Sequence, residues 1–175
     1  MTEATKQSMF TLETDRLRIV KQNHNLEQLE SIFADQKTME LYPQLLLDGS
    51  RTMEQSLDLL EKYQILIFPF IEKESGVTIG FLTLNNIKED DKEIEIGYFL
   101  NSDYWGNGFA GEMVKGLLAH LPKSGWKKIV ASLYSGNTAS EKLLQKCGFN
   151  LEGVTKDKHT INGNSHDDIV YSLIV

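Results

Sequence analysis

The sequence holds a single cysteine, Cys147, among 175 residues. One thiol excludes an internal disulfide and supplies no cysteine cluster for a metal. No apolar run approaches the roughly 20 residues that span a bilayer. Met1 to Ser8 is polar and lacks the apolar core of a secretory signal, so a cytoplasmic location is the default expectation. Basic residues are in deficit, 18 Lys and Arg against 25 Asp and Glu, for a net charge of −7. Nucleic-acid binding needs a basic footprint, and that partner class is excluded from the reading. The acidic balance suits a cationic partner, or solubility alone. Prolines number three, and no Pro/Gly/Ser-rich linker, repeat or low-complexity segment divides the chain. One domain over residues 1–175 follows, with 1–8 as a frayed tail. A chain of this length buries about 70% of its unfolded surface, which makes a real core.

Hydrophobic spacing gives the elements. Phe10 to Val20, with Leu12, Leu17, Ile19 and Val20, reads as a first strand. Asn25 with Gln28 resembles a capping box before a short helix over 26–34. Pro43 and Asp48-Gly49-Ser50 mark a loop, and Thr52 with Gln55 caps a second helix with Met53, Leu57 and Leu60 inward. Ile65 to Ile71 is apolar but interrupted by Pro69, which suggests an edge or a bulge. Val77 to Asn85 and Glu93 to Leu100 complete an antiparallel series. In the latter, Ile94, Ile96 and Tyr98 share one face, and Glu93, Glu95, Gly97 and Phe99 the other. From Gly108, Ala110, Met113, Val114, Leu117, Leu118 and Leu121 recur at helical spacing until Pro122 and Gly125. Lys128 to Tyr134 is a strand. Thr138 to Cys147 is a helix with Ala139, Leu143, Leu144 and Cys147 inward, capped by a Thr138/Glu141 box. Residues 149–157 and 167–175 form a closing pair around Asn162-Gly163-Asn164. The β-α-β unit over 93–134 places a parallel pair inside a mostly antiparallel sheet.

Trp105-Gly106-Asn107-Gly108-Phe109-Ala110-Gly111 carries the strongest chemical signal. It lies between a strand end and a helix start. Glycine admits close backbone approach, and the helix start offers unpaired N–H groups and a positive dipole end. Together these suit a pyrophosphate. A tight turn that needs positive φ explains the same glycines. A Walker A loop would end in Gly-Lys-Ser/Thr, which is absent. Gly106, Gly108 and Gly111 have dinucleotide-fingerprint spacing but follow an antiparallel meander, and no acidic residue closes a second strand about 20 positions on.

Three further segments accompany this loop in chain order: Thr14-Asp-Arg16-Leu17, Glu95-Ile-Gly97-Tyr98, and Asn137-Thr-Ala-Ser140 with Lys146-Cys-Gly148-Phe149. With these four the chain resembles the GCN5-related N-acetyltransferase superfamily, and most closely the branch of ribosomal-protein N-terminal and spermidine acetyltransferases. Gly108 and Ala110 match the end of the coenzyme motif Gln/Arg-x-x-Gly-x-Gly/Ala, with Trp105 in its first position. Asn137-Thr-Ala-Ser140 followed by Lys146-Cys-Gly148-Phe149 resembles the second motif. Thr14-Asp-Arg16-Leu17 is similar to the branch's opening strand, and Glu95-Ile-Gly97-Tyr98 to the strand before the pyrophosphate loop. The resemblance implies an α/β fold with a mixed, mostly antiparallel sheet of six to seven strands, flanked by about four helices. Strands 93–100 and 128–134 would be splayed into a V. It implies acetyl-CoA as cosubstrate, an amine acceptor, transfer by direct attack, and a homodimer as the oligomeric form. It places the coenzyme on the backbone of Phe99 and Leu100, on the segment Trp105, Gly106, Asn107, Gly108, Phe109, Ala110 and Gly111, and on Asn137, Ser140 and Lys146.

The reaction sets further requirements. A primary amine near pH 7 is mostly ammonium, with pKa about 8 to 10, and must lose a proton before it attacks. Glu95 is the first candidate base and Glu93 the second, unless the pair is only a solvated face; a β-bulge in their strand would reverse which looks inward. The tyrosine acid of many family members is replaced by Leu144, which leaves Ser140 as the candidate donor to the thiolate. The glutamate some members carry five residues before the motif asparagine is Ser132 here. Tyr42, Pro43, Phe68 and Phe70 fall where the family builds its acceptor pocket, or belong to the core. Cys147 reads as core, not as an acyl carrier. His159, His166, Asp167 and Asp168 read as solvated polar residues with no metal. A non-catalytic acetyl-CoA-binding module and a nucleotide-binding regulatory domain are the competing functions.

Overall fold

The computed structural model describes residues 11–20, 27–42, 45–46, 49 and 52–175. The expected features at Phe10, Asn25, Leu26, Pro43, Asp48, Ser50 and the 1–8 tail lie outside the described residues. Eight strands form one sheet in the order β1-β2-β3-β4-β5-β6-β8-β7. They are β1 Thr11–Glu13, β2 Leu17–Val20, β3 Leu66–Glu72, β4 Thr78–Lys88, β5 Glu93–Leu100, β6 Lys128–Tyr134, β7 Asn150–Ile161 and β8 Asn164–Ile174. The helices are α1 Glu27–Phe33, α2 Met53–Lys62, α3 Phe109–His120 and α4 Thr138–Lys146. Among the described residues only β5 and β6 run parallel.

The count exceeds the expected six to seven because the first strand is two. Leu17 N donates to Thr14 Oγ1 at 3.0 Å and Thr14 N to Leu17 O at 2.9 Å, which closes a turn and folds β1 back on β2. Pro69 sits where the β2 ladder ends: Ile19 pairs with Phe70, and no β2 residue pairs with Pro69. The missing N–H therefore costs no ladder bond there, and a register shift follows at Phe70/Ile71. Thr52 and Gln55 do form the capping box of α2. At α4 the cap is Asn137, whose Oδ1 accepts from Ser140 N at 3.2 Å, not the expected Thr138/Glu141 box. Asparagine accepts this N–H as well as threonine does, and it stands one residue earlier. Ala139, expected inward, is exposed.

Strand alternation sends neighbouring residues into two cores. Phe68, Leu82 and Tyr98 join Met113, Val114 and Leu117 of α3 and Leu144 of α4. Ile67, Phe81 and Phe99 pack with Leu29, Ile32 and Phe33 of α1 and Leu60 of α2. A helix layer thus covers each sheet face, which is why β4 is buried continuously from Thr78 to Leu84. Asn162 (φ 51) and Gly163 (φ 79) make the two-residue link between β7 and β8, where an Asn-Gly pair meets the need for positive φ at both positions.

Candidate active site

The site begins where a ladder stops. β5 and β6 pair at Glu93↔Lys128, Ile94↔Ile129 and Glu95↔Val130, and no further. Beyond Glu95 the two strands part into the expected V. β6 stays bonded to β8 as far as Tyr134↔Asp168, and β5 to β4 as far as Gly80↔Leu100, so neither strand can follow the other. The cleft between them measures about 910 Å³.

One end of the cleft is made of backbone. Gly106 (φ 79) and Gly108 (φ 80) hold left-handed conformations, and Gly108 caps α3 without a side chain. The glycines do make a tight turn at positive φ, and that turn sets the α3 N-terminus beside the cleft. An added Cβ on Gly111 would stand 3.4 Å from Leu143, so the α3–α4 approach is close there. Trp105 acts as a latch: its Nε1 donates to Leu100 O at 2.7 Å, and Thr38 Oγ1 donates to the same carbonyl at 2.9 Å. The Leu100 carbonyl is thereby occupied. Asn107 turns back on the loop, donating to Tyr104 O and Trp105 O at 3.3 Å each.

The opening Thr14-Asp-Arg16 signature also has a physical role. Arg16 Nη1 donates to Asn107 O at 3.0 Å, its Nε to Glu112 Oε2 at 2.7 Å, and its guanidinium lies 4.3 Å from the Phe109 ring centre. Arg16 therefore clamps the glycine loop onto the first turn of α3. Burial alone would raise the Glu112 pKa; hydrogen bonds from the Thr14 hydroxyl and the Arg16 amide and guanidinium outweigh it and hold the carboxyl below its ordinary range.

Side chains from both strands and α4 line the V. Phe99, Leu100, Trp105, Gly106, Gly108, Phe109, Ala110, Gly111, Asn137, Ser140 and Lys146 all border it, as does Glu95. Asn107 and Glu93 do not. Ser140 Oγ lies 2.6 Å from Tyr98 Oη. Burial pushes the Tyr98 pKa up to about 12 against the lowering bond from Ser140, so the phenol keeps its proton across the neutral range. Sequence reading missed this pair, since the two residues are 42 positions apart.

The other end of the cleft is aromatic and charged. Tyr42 packs on Phe99 at 4.8 Å and on Tyr134 at 5.2 Å, and Tyr134 on His159 at 4.7 Å. Phe68 and Phe70, offered as acceptor-pocket residues, are core at 4% and 0% exposure. Glu95 accepts from Asn86 Nδ2. The bulge that bears on the glutamates lies in β4, between Asn85 and Lys88 with Asn86 at φ 46, so β5 keeps its alternation. Glu93 is held by Lys88 and by Lys128 at 3.0 Å, and hydrogen bonds from these two lysines bring its pKa down. A second groove of about 1580 Å³ meets the cleft at Glu95, Lys158 and Asp168, and its wall also carries Glu54, Asp58, Glu61, Glu89, Glu93 and Glu152.

The solvated reading of His159 and Asp168 fails. Between Thr155↔Asp168 and His159↔His166, β7 advances four residues and β8 only two. This bulge brings both Lys158 and His159 to the cleft, His159 partly buried and Lys158 exposed. Lys158 Nζ then meets Asp168 Oδ2 at 2.6 Å, and Asp168 is 8% exposed. His166, by contrast, engages Ser135 O at 2.9 Å through Nδ1, and Asp167 pairs with Lys156. Among the described residues no group of three or more His, Cys, Asp or Glu is set to hold a metal ion, and no helix is long and apolar enough to cross a membrane.

Residues 16–150 match the family model described as the acetyltransferase (GNAT) domain. The chain belongs to the GNAT acetyltransferases. The GNAT chain is similar to the uncharacterized N-acetyltransferase p20 of Bacillus licheniformis, with 32% identity over 172 residues, 95% of this chain and 97% of the relative. It is also similar to the ribosomal-protein-serine acetyltransferase of Escherichia coli K12, with 27% identity over 184 residues, 100% of this chain and 98% of the relative. Among solved structures, RimL, the ribosomal L7/L12 alpha-N-protein acetyltransferase in complex with coenzyme A, superposes with a TM-score of 0.79. That likeness, at 20% identity over 95% of this chain and 98% of the other, is one of fold. The GNAT chain is an acetyltransferase that takes acetyl from acetyl-CoA to an amine.

Proposed function

We propose that this enzyme acetylates the N-terminal α-amine of a protein or peptide, which enters along the acidic groove and meets the coenzyme at Glu95. The observation that carries this reading is the end of the β5–β6 ladder at Glu95/Val130, because the gap opens on the glycine-built end of α3 in one direction and on the groove in the other. The groove, about 1580 Å³, exceeds the roughly 300–1,000 Å³ of a small-molecule pocket, and its acidic wall suits a cationic chain. The similarity to the ribosomal-protein-serine acetyltransferase points the same way.

The residues present fit the cosubstrate. Backbone N–H groups from Gly106 to Gly111 at the α3 N-terminus hold the pyrophosphate, with Lys146 at the mouth. Since Asn101 N donates to Ile79 O of β4, strand alternation turns the N–H groups of Tyr98 and Leu100 toward the V, where they meet the pantetheine amides. Asn137 keeps Nδ2 for the coenzyme arm while its Oδ1 caps α4. Glu95 receives the acceptor ammonium. Ser140, held by Tyr98, supplies the proton that the departing thiolate takes. Glu93 serves in its lysine cluster, not as a base. Cys147 is half buried at the end of α4 and does not border the cleft, so it is no acyl carrier and transfer is direct.

The test has two stages. Thermal unfolding is followed with acetyl-CoA, desulfo-CoA, ATP and NAD. A ligand at 100 times its Kd adds about 2.7 kcal/mol and lifts the midpoint by several degrees. A thiol-release assay then compares peptides with free N-termini, spermidine and an aminoglycoside. Peptide turnover above the others supports the reading. Spermidine turnover alone would replace it with polyamine acetylation, and coenzyme binding without turnover would make the chain a binding module.

A further inference from the structure

The inner wall of the cleft holds an imidazole with no bond to explain it. His159 Nε2 is buried and has no hydrogen-bond partner. The nearest opposite group is Asp168 Oδ1 at 3.4 Å, while Asp168 Oδ2 is fixed by Lys158 at 2.6 Å. The ring edge rests on Tyr134, so its plane is set by packing. The side chain as a whole keeps 31% exposure, which leaves Nδ1 as the nitrogen a bound acceptor can reach. One nitrogen thus faces a buried carboxylate and the other faces the cleft. We infer that His159 is the general base that takes the proton of the acceptor ammonium, with Asp168 as its positioning residue. This assignment rests on the cleft being the acetyl-transfer site.

Imidazole fits the work better than carboxylate. A general base acts best when its pKa lies near the working pH, and imidazoles as a class titrate near 6.5 against about 4.3 for glutamate side chains. Glu95 is also already bonded to Asn86, and it borders the same cleft, where it can hold the ammonium. In the step, the ammonium N–H bond breaks and its proton passes to His159 Nδ1. The freed amine forms the N–C bond to the acetyl carbon, the C–S bond breaks, the nitrogen gives up its second proton to become the amide, and that proton reaches the departing thiolate through Ser140. His159 then returns its proton to solvent. As Nδ1 gains the proton, Nε2–H closes on Asp168 Oδ1, which stabilises the imidazolium. Catalytic hydrogen bonds of this kind are commonly long before substrate binds. The charged and titratable groups around the ring are Asp168, Lys158, Tyr134, His166 across the ladder, Glu95 and Tyr42.

The experiment measures kcat against pH for the full chain, with acetyl-CoA and a peptide bearing a free serine N-terminus, in wild type, His159→Ala, His159→Gln, Asp168→Asn and Glu95→Gln. Loss of general-base catalysis lowers kcat of both His159 variants by about 100-fold with an unchanged KM for acetyl-CoA. Added imidazole restores part of the His159→Ala rate, which a structural defect would not allow. Asp168→Asn moves the acidic limb of the profile to lower pH, since it removes the charge that favours imidazolium. A kcat for His159→Gln within about two-fold of wild type, with the limb intact or abolished only by Glu95→Gln, overturns the assignment. A wild type silent toward every amine would end the reading of the cleft itself.

Discussion

The two ends of the cleft are built by different means. The end proposed for the coenzyme is local and made of backbone: residues 100–111 supply a strand end, two left-handed glycines and a helix start within 12 positions. The end proposed for the acceptor is made of side chains brought from α2, β4, β5, β6, β7 and β8, and two bulges lie among them. A ligand held by backbone depends on φ, whereas one held by side chains depends on charge and reach. Substitutions should therefore separate the two ends cleanly.

The largest effect is expected at Gly108. Valine there forces a branched side chain to φ 80, a cost of about 1–3 kcal/mol. The Kd for acetyl-CoA should rise by roughly 10- to 100-fold by calorimetry, with no change in acceptor KM. Glu95→Gln should do the reverse: acceptor KM rises about ten-fold on loss of a charge-assisted bond, while acetyl-CoA binding is unchanged. An equal rise in both constants would mean that the two ends are not separable. Tyr98→Phe removes the partner of Ser140, and kcat should fall by about five-fold with both KM values near wild type.

Smaller effects sharpen the comparison. Arg16→Ala frees Asn107 and the glycine loop, and the Kd for acetyl-CoA should rise only about two- to five-fold, because the ion pair is half exposed. The partner Glu112 has a pKa below its ordinary value when folded. Its stabilising contribution is complete above the unfolded pKa, about 4.3, and is lost as pH falls through the lower folded value. Wild type should therefore lose more Tm than Glu112→Gln between pH 5 and 3, by about 2 °C. An equal slope in both proteins would remove Glu112 from the account.

The same contrast explains what could be read from the chain alone. The glycine loop, the α3 stripe from Met113 to Leu121 and the parting of strands 93–100 and 128–134 were legible, because each rests on local spacing or on a motif in family order. His159 and Asp168 were not. A regular β7 would have left His159 solvated, and the two extra residues before it turn the ring inward against Asp168 of β8. Spacing arguments assume regular strands, and a bulge is the device that breaks that assumption. The Tyr98–Ser140 bond escaped for a related reason: alternation gave Tyr98 its face but not the reach of α4. The Thr138/Glu141 box was a valid local signal, but Asn137 stands one residue earlier and its amide oxygen caps Ser140 N.

Amide hydrogen exchange with and without acetyl-CoA tests the division between the two ends most directly. Protection is expected at Tyr98, Leu100 and residues 106–111, with β7 and the groove wall of α2 unchanged. Protection centred on β7, or none over 106–111, would contradict a coenzyme held by backbone at the end of α3.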